Sequence, residues 1–244
     1  MKSIKYHLIL EIHAGLAMFW RAFSIVFLFL LSGIFAEDVS ISKRRMIELL
    51  KSRGIHDKKV LEAMSRVKRE LFVLPDYKSQ AYEDGPLPIG EGQTISQPYI
   101  VAYMTQELQL KGTEKVLEIG FGSGYQTAIL AEIANEVYSI EINPKIYEFG
   151  RKNLEPLNYK NVSLKLGDGR TGWKDKSPFD AILVAAAPVE LPRELEPQLK
   201  EGGRMVIPIG ELSNQSLITF VKRKGRLVSE QSLPVRFVPL TGGK

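Results

Sequence analysis

Apolar residues recur along this chain in several distinct rhythms, and each predicts a different kind of element. Between residues 41 and 53 they return at helical spacing, at Met46, Ile47 and Leu50, and Gly54 supplies a stop signal. Asp57 is placed to cap a second helix whose Val60, Leu61, Met64 and Val67 share one face. Residues 72–93 lose this periodicity and are rich in Pro and Gly, which predicts a long loop. Ser96 and Pro98 then open a third helix with Ile100, Val101, Met104 and Leu108 on one side. After Gly112 the rhythm changes to short apolar runs that alternate with helical stretches. Strands are predicted over 116–119, 137–142, 162–166, 181–185 and 205–209. A glycine-rich turn and a helix over 126–134 follow the first of these, and Pro144 opens a helix after the second. Two more strand-like runs, 217–221 and 235–240, flank the turn Lys222-Arg223-Lys224-Gly225.

Strands alternating with helices indicate an α/β fold: a doubly wound, mostly parallel sheet covered on both faces. Helices precede it at the N-terminal side, and the last strands predict an antiparallel finish. The body shows no internal repeat, low-complexity tract or inter-domain linker, so residues 37–244 read as a single domain.

One run falls outside this scheme. From Ala22 to Ala36 there are 15 residues without a charge, between Arg21 and Glu37. That is short of the ~20 residues that span a bilayer, and suits the apolar core of an export signal. Met18 is an alternative start, and Ala36 would precede a cleavage site. Lys43, Arg44 and Arg45 just downstream favour keeping that side in the cytoplasm, so an uncleaved anchor stays open, as does a start codon set too far upstream. On each reading residues 1–36 lie outside the fold.

Setting that segment aside changes the charge picture. The whole chain has 33 Lys and Arg against 28 Asp and Glu, a net of +5. Residues 1–36 carry Lys2, Lys5, Arg21 and Glu11, which leaves 30 basic and 27 acidic groups in the body. A surplus of +3 is too small for a nucleic-acid footprint, and no nucleic-acid partner is expected.

Scarce residue types exclude further chemistry. With no Cys there is no thiolate nucleophile, disulfide framework or cysteine-held metal. His7, His13 and His56 are the only histidines, and only the last lies in the body, so no metal site is expected.

The candidate chemistry lies in the first strand-turn-helix, Val116-Leu-Glu-Ile-Gly-Phe-Gly-Ser-Gly-Tyr125. Glycines at 120, 122 and 124 let the backbone approach a ligand, and the next helix offers free N–H groups. A dinucleotide fingerprint would need glycine at 125, where Tyr stands, and no Gly-Lys-Ser/Thr follows for a phosphate loop. Glu141 ends the second strand, 21 residues after Gly120, where an acidic side chain can accept from a ribose diol. Asp168, between Gly167 and Gly169 after the third strand, is placed to accept from an adenine amino group. A nucleoside without a pyrophosphate fits these positions, and S-adenosylmethionine is such a ligand.

Several segments carry a resemblance. GEGQTISQPY (90–99), VLEIGFGSGYQTAILA (116–131), GDGRTGW (167–173), PFDAILVAAAP (178–188) and VRFVPL (235–240) resemble the protein-L-isoaspartate O-methyltransferase family. The likeness runs from about Ser42 to Gly243 and stops at the N-terminal segment, which the usual cytoplasmic members lack. It implies the Rossmann-like fold of S-adenosylmethionine-dependent methyltransferases. It also implies methyl transfer to the α-carboxylate of L-isoaspartyl residues in damaged proteins, with D-aspartyl residues an open extension. The ester then closes to a succinimide, which hydrolyses partly to normal Asp. Isoaspartyl proteins and peptides are the implied partners, and a monomer the implied state.

Residue by residue, the resemblance places the hydroxyl of Ser96 where it hydrogen-bonds the substrate carboxylate. The competing role for Ser96, a helix N-cap, stays open. Thr94, Ile95, Ala186, Pro188, Val235, Arg236 and Phe237 are the other substrate-side candidates, with residues 235–238 pairing as an added strand. For Arg236 a structural ion pair is the alternative. Glu118, Gly120, Gly122, Ser123, Gly124, Glu141, Asp168 and Gly169 are the cofactor-side candidates, Glu118 accepting from the methionyl ammonium through water. A carboxylate nucleophile is already ionised at pH 7, so the near-absence of histidine from the body, which holds only His56, is consistent. A methyltransferase with another acceptor, or a non-catalytic membrane-tethered binding module, would keep parts of this pattern. Cofactor supply and the resemblance favour the cytoplasm, whereas residues 18–36 favour export or a membrane anchor.

Overall fold

The computed structural model describes residues 39–242, so the apolar run before Ala36 lies outside the described residues. Two compact units divide the chain, residues 1–45 and 46–244, and helical backbone passes through 39–52 (α1). Everything below concerns the second unit. Met46 and Leu50 are buried there, as their spacing predicts. Helix α2 (Lys58–Arg66) is capped by Asp57, whose carboxylate accepts from the Lys59 and Val60 amides, and it buries Val60, Ala63 and Met64.

The predicted loop 72–93 holds more structure than its composition suggests. It contains one 3-10 turn, Pro75–Gln80, and β1 (Leu87–Gly90), which pairs antiparallel with β2 (Gln93–Ile95). The hairpin escapes sequence reading because each strand is so short that two apolar residues, Leu87 and Ile89 on β1, carry the whole alternation. Helix α3 (Pro98–Glu107) follows, with Val101 and Met104 buried.

The main sheet has seven strands in the order β5-β4-β3-β6-β7-β8-β9. These are β3 (Lys115–Ile119), β4 (Glu136–Glu141), β5 (Val162–Leu166), β6 (Phe179–Val184), β7 (Leu199–Glu211), β8 (Asn214–Arg223) and β9 (Arg226–Val235). The first five run parallel, and β7, β8 and β9 are antiparallel to one another in turn. Helix α4 (Tyr125–Ala131) connects β3 to β4, and α5 (Pro144–Leu154) connects β4 to β5. Leu117, Ile119, Ile140, Ile182, Val184, Met205 and Ile207 form one buried face, on which Trp173, Leu191 and Leu240 pack. Short 3-10 turns, with no α-helix, connect β5 to β6 and β6 to β7.

The antiparallel finish exists, but its last strand is β9, not the run 235–240. Beyond Val235 that run joins the sheet only through a bridge between Ala187 and Pro239. The two-residue turn at Lys224-Gly225, with φ of +52° and +76°, explains this: it pairs Arg226 with Arg223 at once, so residues 226–235 take the place beside β8.

Candidate active site

The strand order reverses between β3 and β6: β4 and β5 continue on one side of β3, while β6 starts the other. Such a switch point opens a crevice at the carboxyl ends of the two strands. Here it lies between Gly120, after β3, and Ala185, after β6, whose amide donates to the Ile119 carbonyl at 2.8 Å. Two cavities meet around it. One is lined by Gly120, Gly122, Ile140, Glu141, Ile142, Asn143, Gly169, Ala185, Ala186 and residues 238–241. The other, about 620 Å³, is lined by Arg53, Thr94, Ser96, Gln97, Tyr99, Ile100, Ala185 and residues 233–238. Thr94 and Ala185 belong to both walls. A small recess lined by Ile95, Ser96, Ser123 and Tyr125 also reaches Thr94 and Ala185.

The first cavity is built from close backbone approaches. Gly120, Gly122 and Gly124 have φ of +82°, +57° and +87°. At Gly124, the N-cap of α4, a Cβ would lie 2.8 Å from Leu154 Cγ, so both the left-handed backbone and the packing require glycine. The platform beneath the loop is α5, where Asn153 Nδ2 donates to the Ser123 carbonyl at 3.0 Å. Ser123 is buried, and its Oγ accepts from the Tyr125 amide at 3.3 Å.

Glu141 is held rigidly at the end of β4. Its Oε2 accepts from Gly122 N at 3.1 Å, and its Oε1 from Ile142 N and Asn143 N at 2.9 and 3.0 Å. Gly169 has no room for a side chain, since a Cβ would sit 2.2 Å from Ile119 Cγ2. Asp168 caps the turn after β5, accepting from Arg170 N, and pairs with the Arg170 guanidinium at 3.1 Å. Its carboxylate faces an outer groove with Pro188 and Arg193 and is approached by Gly242.

Glu118 differs from the other cofactor-side candidates. It is fully buried and lines none of these cavities. Thr127 Oγ1 donates to its Oε2 at 2.6 Å and Ser139 donates to the same oxygen, while Oε1 has no hydrogen-bond partner among the described residues. Burial pushes its carboxyl up to about 7, against the pull of those two hydroxyl donors.

On the acceptor side, Ser96 lines the larger cavity, and its hydroxyl makes no hydrogen bond among the described residues. It is not the helix cap: the N-cap position of α3 is Gln97, without a side-chain capping bond. Ile95, pinned opposite Leu87 in the hairpin, lines only the recess. Ala186 lies in the first cavity, and Pro188 in the outer groove, so neither reaches the acceptor cavity where the sequence reading put them. Val235, Arg236 and Phe237 do line it. An added strand along 235–238 is restricted, because Phe237 N and O are taken by the buried Gln215 side chain and Val238 O by Ala187 N. Arg236 is exposed and has no ion pair among the described residues, which removes the structural alternative for it.

Sequence reading missed a second layer of this wall. Asp84 accepts from Gln97 Nε2 at 2.9 Å, from Tyr99 N at 3.0 Å and from Arg53, whose guanidinium lies 3.6 Å over the Tyr99 ring. No local pattern announces such a hub, since its partners lie on separate elements. Two charged side chains line the acceptor cavity, Arg53, paired with Asp84, and Arg236, without an ion pair among the described residues. Among the described residues no cluster of acidic or histidine side chains could hold a metal ion.

A glycine cradle, a fixed carboxylate at the end of β4 and a cationic acceptor cavity sharing Thr94 and Ala185 suit a nucleoside-bearing donor beside an anionic acceptor. Comparison with known proteins agrees. The protein-L-isoaspartate O-methyltransferase of Dictyoglomus turgidum is 52% identical over 207 residues, 85% of this chain and 94% of that relative. A solved protein-L-isoaspartate O-methyltransferase aligns with a TM-score of 0.75 and 34% identity, covering 82% of this chain and 66% of its own. A Plasmodium falciparum protein assigned as a protein-L-isoaspartate O-methyltransferase, solved with S-adenosyl-L-homocysteine, gives a TM-score of 0.72 at 28% identity over 81% of this chain and 97% of that one. A model of the family described as protein-L-isoaspartate(D-aspartate) O-methyltransferase matches residues 41–244, and the chain belongs to that family.

Proposed function

We propose that the chain performs its family's reaction, S-adenosylmethionine-dependent methylation of the isoaspartyl α-carboxylate in damaged proteins, with the cleft residues in defined roles. One observation carries the acceptor assignment: the cavity that adjoins the glycine loop is lined by Arg236, which has no ion pair among the described residues, and by Arg53, which Asp84 pairs from behind the wall. A single free carboxylate is attracted to Arg236, and one unpaired cation is too little for a nucleic-acid backbone.

The cofactor, when bound, supplies an electrophilic methyl group on a sulfonium. Gly120, Gly122, Ser123 and Gly124 would form its cradle, Glu141 would accept from the ribose hydroxyls, and Asp168 and Gly169 would flank the base. The three backbone amides on Glu141 fix its carboxylate in advance, so ordering it on binding costs little. Glu118 lines no cavity, so an ammonium beside the glycine loop would reach its Oε1, which has no hydrogen-bond partner among the described residues, only through an intervening water.

Ser96 orients the acceptor. Its free hydroxyl donates to one carboxylate oxygen and leaves the other to attack, while Thr94, Ile95 and Phe237 exclude water around it. Attack by an anion on a cation disperses charge, so alignment in a dry cleft supplies most of the acceleration. No side chain has to take a proton, because the nucleophile arrives ionised.

Residues 37–244 act as one methyltransferase domain in this reading, as a monomer in the cytoplasm, where S-adenosylmethionine is made. The first 36 residues contribute nothing to catalysis, and any membrane contact runs through residues 18–36 alone. N-terminal sequencing of the native protein with cell fractionation tests the location.

Incubation with labelled S-adenosylmethionine and an isoaspartyl peptide, with the matched aspartyl peptide as control, tests the activity. Base-labile label confined to the isoaspartyl peptide is expected, and base-stable label or label in nucleic acid would refute the reading. Ser96→Ala should lower turnover by roughly tenfold to a hundredfold, the worth of one hydrogen bond to a charged group, at unchanged cofactor affinity. Unchanged turnover removes Ser96 from the mechanism.

A further inference from the structure

Arg69 is fully buried, yet no carboxylate pairs with it among the described residues. Its Nε donates to the Ala81 carbonyl and its Nη2 to the Ser96 carbonyl, both at 2.8 Å. The guanidinium carbon also lies 4.8 Å from the centre of the Tyr125 ring. Tyr125 is itself buried and directly follows Gly124 of the glycine loop. Burial lowers the guanidinium pKa to about 10, so the group remains a cation at neutral pH.

An unpaired cation in a core is expensive, and an apolar side chain of similar length would fill the same space at lower cost. What an apolar residue lacks is direction. Arg69 is a rigid planar fork, and its contacts lie on the two sides of the cleft. The carbonyl it holds belongs to Ser96 itself, so it fixes the Ser96–Gln97 peptide plane and with it the path of the chain that carries the hydroxyl. The ring it rests on begins α4, directly behind the glycine loop.

We propose that Arg69 is a positioning residue for methyl transfer, setting the Ser96 hydroxyl in register with the glycine loop through its bonds to the Ser96 main chain and its contact with Tyr125. The inference rests on the acceptor-orienting role of Ser96 given above. In-line transfer is steeply sensitive to alignment, so a small shift of Ser96 lowers turnover without touching the cofactor pocket.

The test uses the full chain with Arg69→Met, Arg69→Lys, Ser96→Ala and the two double variants. Each is assayed for kcat and KM with an isoaspartyl peptide, S-adenosylhomocysteine affinity by calorimetry, and thermal unfolding. Arg69→Met should fold, because an apolar replacement removes a desolvated charge, and should lose roughly tenfold to a hundredfold in kcat at unchanged cofactor affinity. Arg69→Lys should recover part of that loss, since an ammonium still donates to the Ser96 carbonyl. In the Ser96→Ala background either substitution should change kcat by less than about twofold, because the group being positioned is gone. Unchanged kcat in both single variants, or an equal loss with and without the Ser96 hydroxyl, would overturn the proposal. So would failure of both variants to fold, which makes Arg69 a residue of stability alone. A Ser96→Ala enzyme with full kcat would instead sink the Ser96 assignment beneath it, and shows in that variant alone.

Discussion

Gly150 sits in the middle of α5, where glycine is a poor choice by propensity alone. Replacing it with alanine should stabilise a helix by up to ~1 kcal/mol. Tertiary packing reverses the sign. A Cβ at Gly150 would lie 2.4 Å from the Gly122 carbonyl oxygen and 2.6 Å from Phe121 Cε2. Ordinary non-bonded carbon contacts lie at about 3.5 Å or more, so the loop or the helix must yield by roughly 1 Å. Overpacking of this kind costs about 1–3 kcal/mol, which exceeds the propensity gain. The group displaced is the loop itself, whose Gly122 amide is bonded to Glu141. Gly150→Ala should therefore lower the unfolding temperature by a few degrees, at about 2–4 °C per kcal/mol for a chain of this size. It should also weaken S-adenosylhomocysteine binding about tenfold, the loss of one charge-assisted hydrogen bond. Differential scanning calorimetry and isothermal titration of the same preparation read both quantities. A variant that melts higher than the wild type and binds the ligand equally well would refute the claim that α5 and the loop are in contact at this point.

Glu141→Ala should weaken cofactor binding more than Asp168→Ala, because Glu141 also holds the Gly122, Ile142 and Asn143 amides whereas Asp168 shares its charge with Arg170. Equal dissociation constants by calorimetry would contradict that ranking. Glu118 predicts a pH dependence of stability. Its folded pKa is raised from 4.5 to about 7, so the unfolded chain ionises first and stability is lost as pH climbs through that window. The loss is about 3 kcal/mol at most, and Glu118→Gln should remove it. Denaturant titrations from pH 4 to 8 with identical slopes for both proteins would refute the assignment.

The strand-helix alternation after Gly112 was legible because buried parallel strands need short continuous apolar runs, and the sequence separates them with glycine and proline. The glycine loop and Glu141 were legible for the same reason: both lie at fixed offsets from the ends of such strands. The β1–β2 hairpin was not, since strands this short carry almost no periodicity. The last strand was misplaced because Val235 to Leu240 is strand-like in composition, while the tight turn at Lys224-Gly225 sets the register and fills the place beside β8 with residues 226–235. Ala186 and Pro188 were assigned to the acceptor because they follow the strand 181–185, at whose end the active sites of open α/β sheets lie. The turn after β6 sends them to other cavities instead.

Local sequence thus determined most of the strands, where the backbone is free to approach a ligand, and that no thiol or metal-cysteine chemistry is available. Those properties depend on side-chain type and spacing over a few residues. Tertiary structure alone decided that Arg69 meets Ser96 and Tyr125, that Asp84 gathers Arg53, Gln97 and Tyr99, and that Gly150 must stay bare beneath Gly122. Each of these joins residues far apart in the chain, and their contact energies exist only once the sheet has brought the elements together.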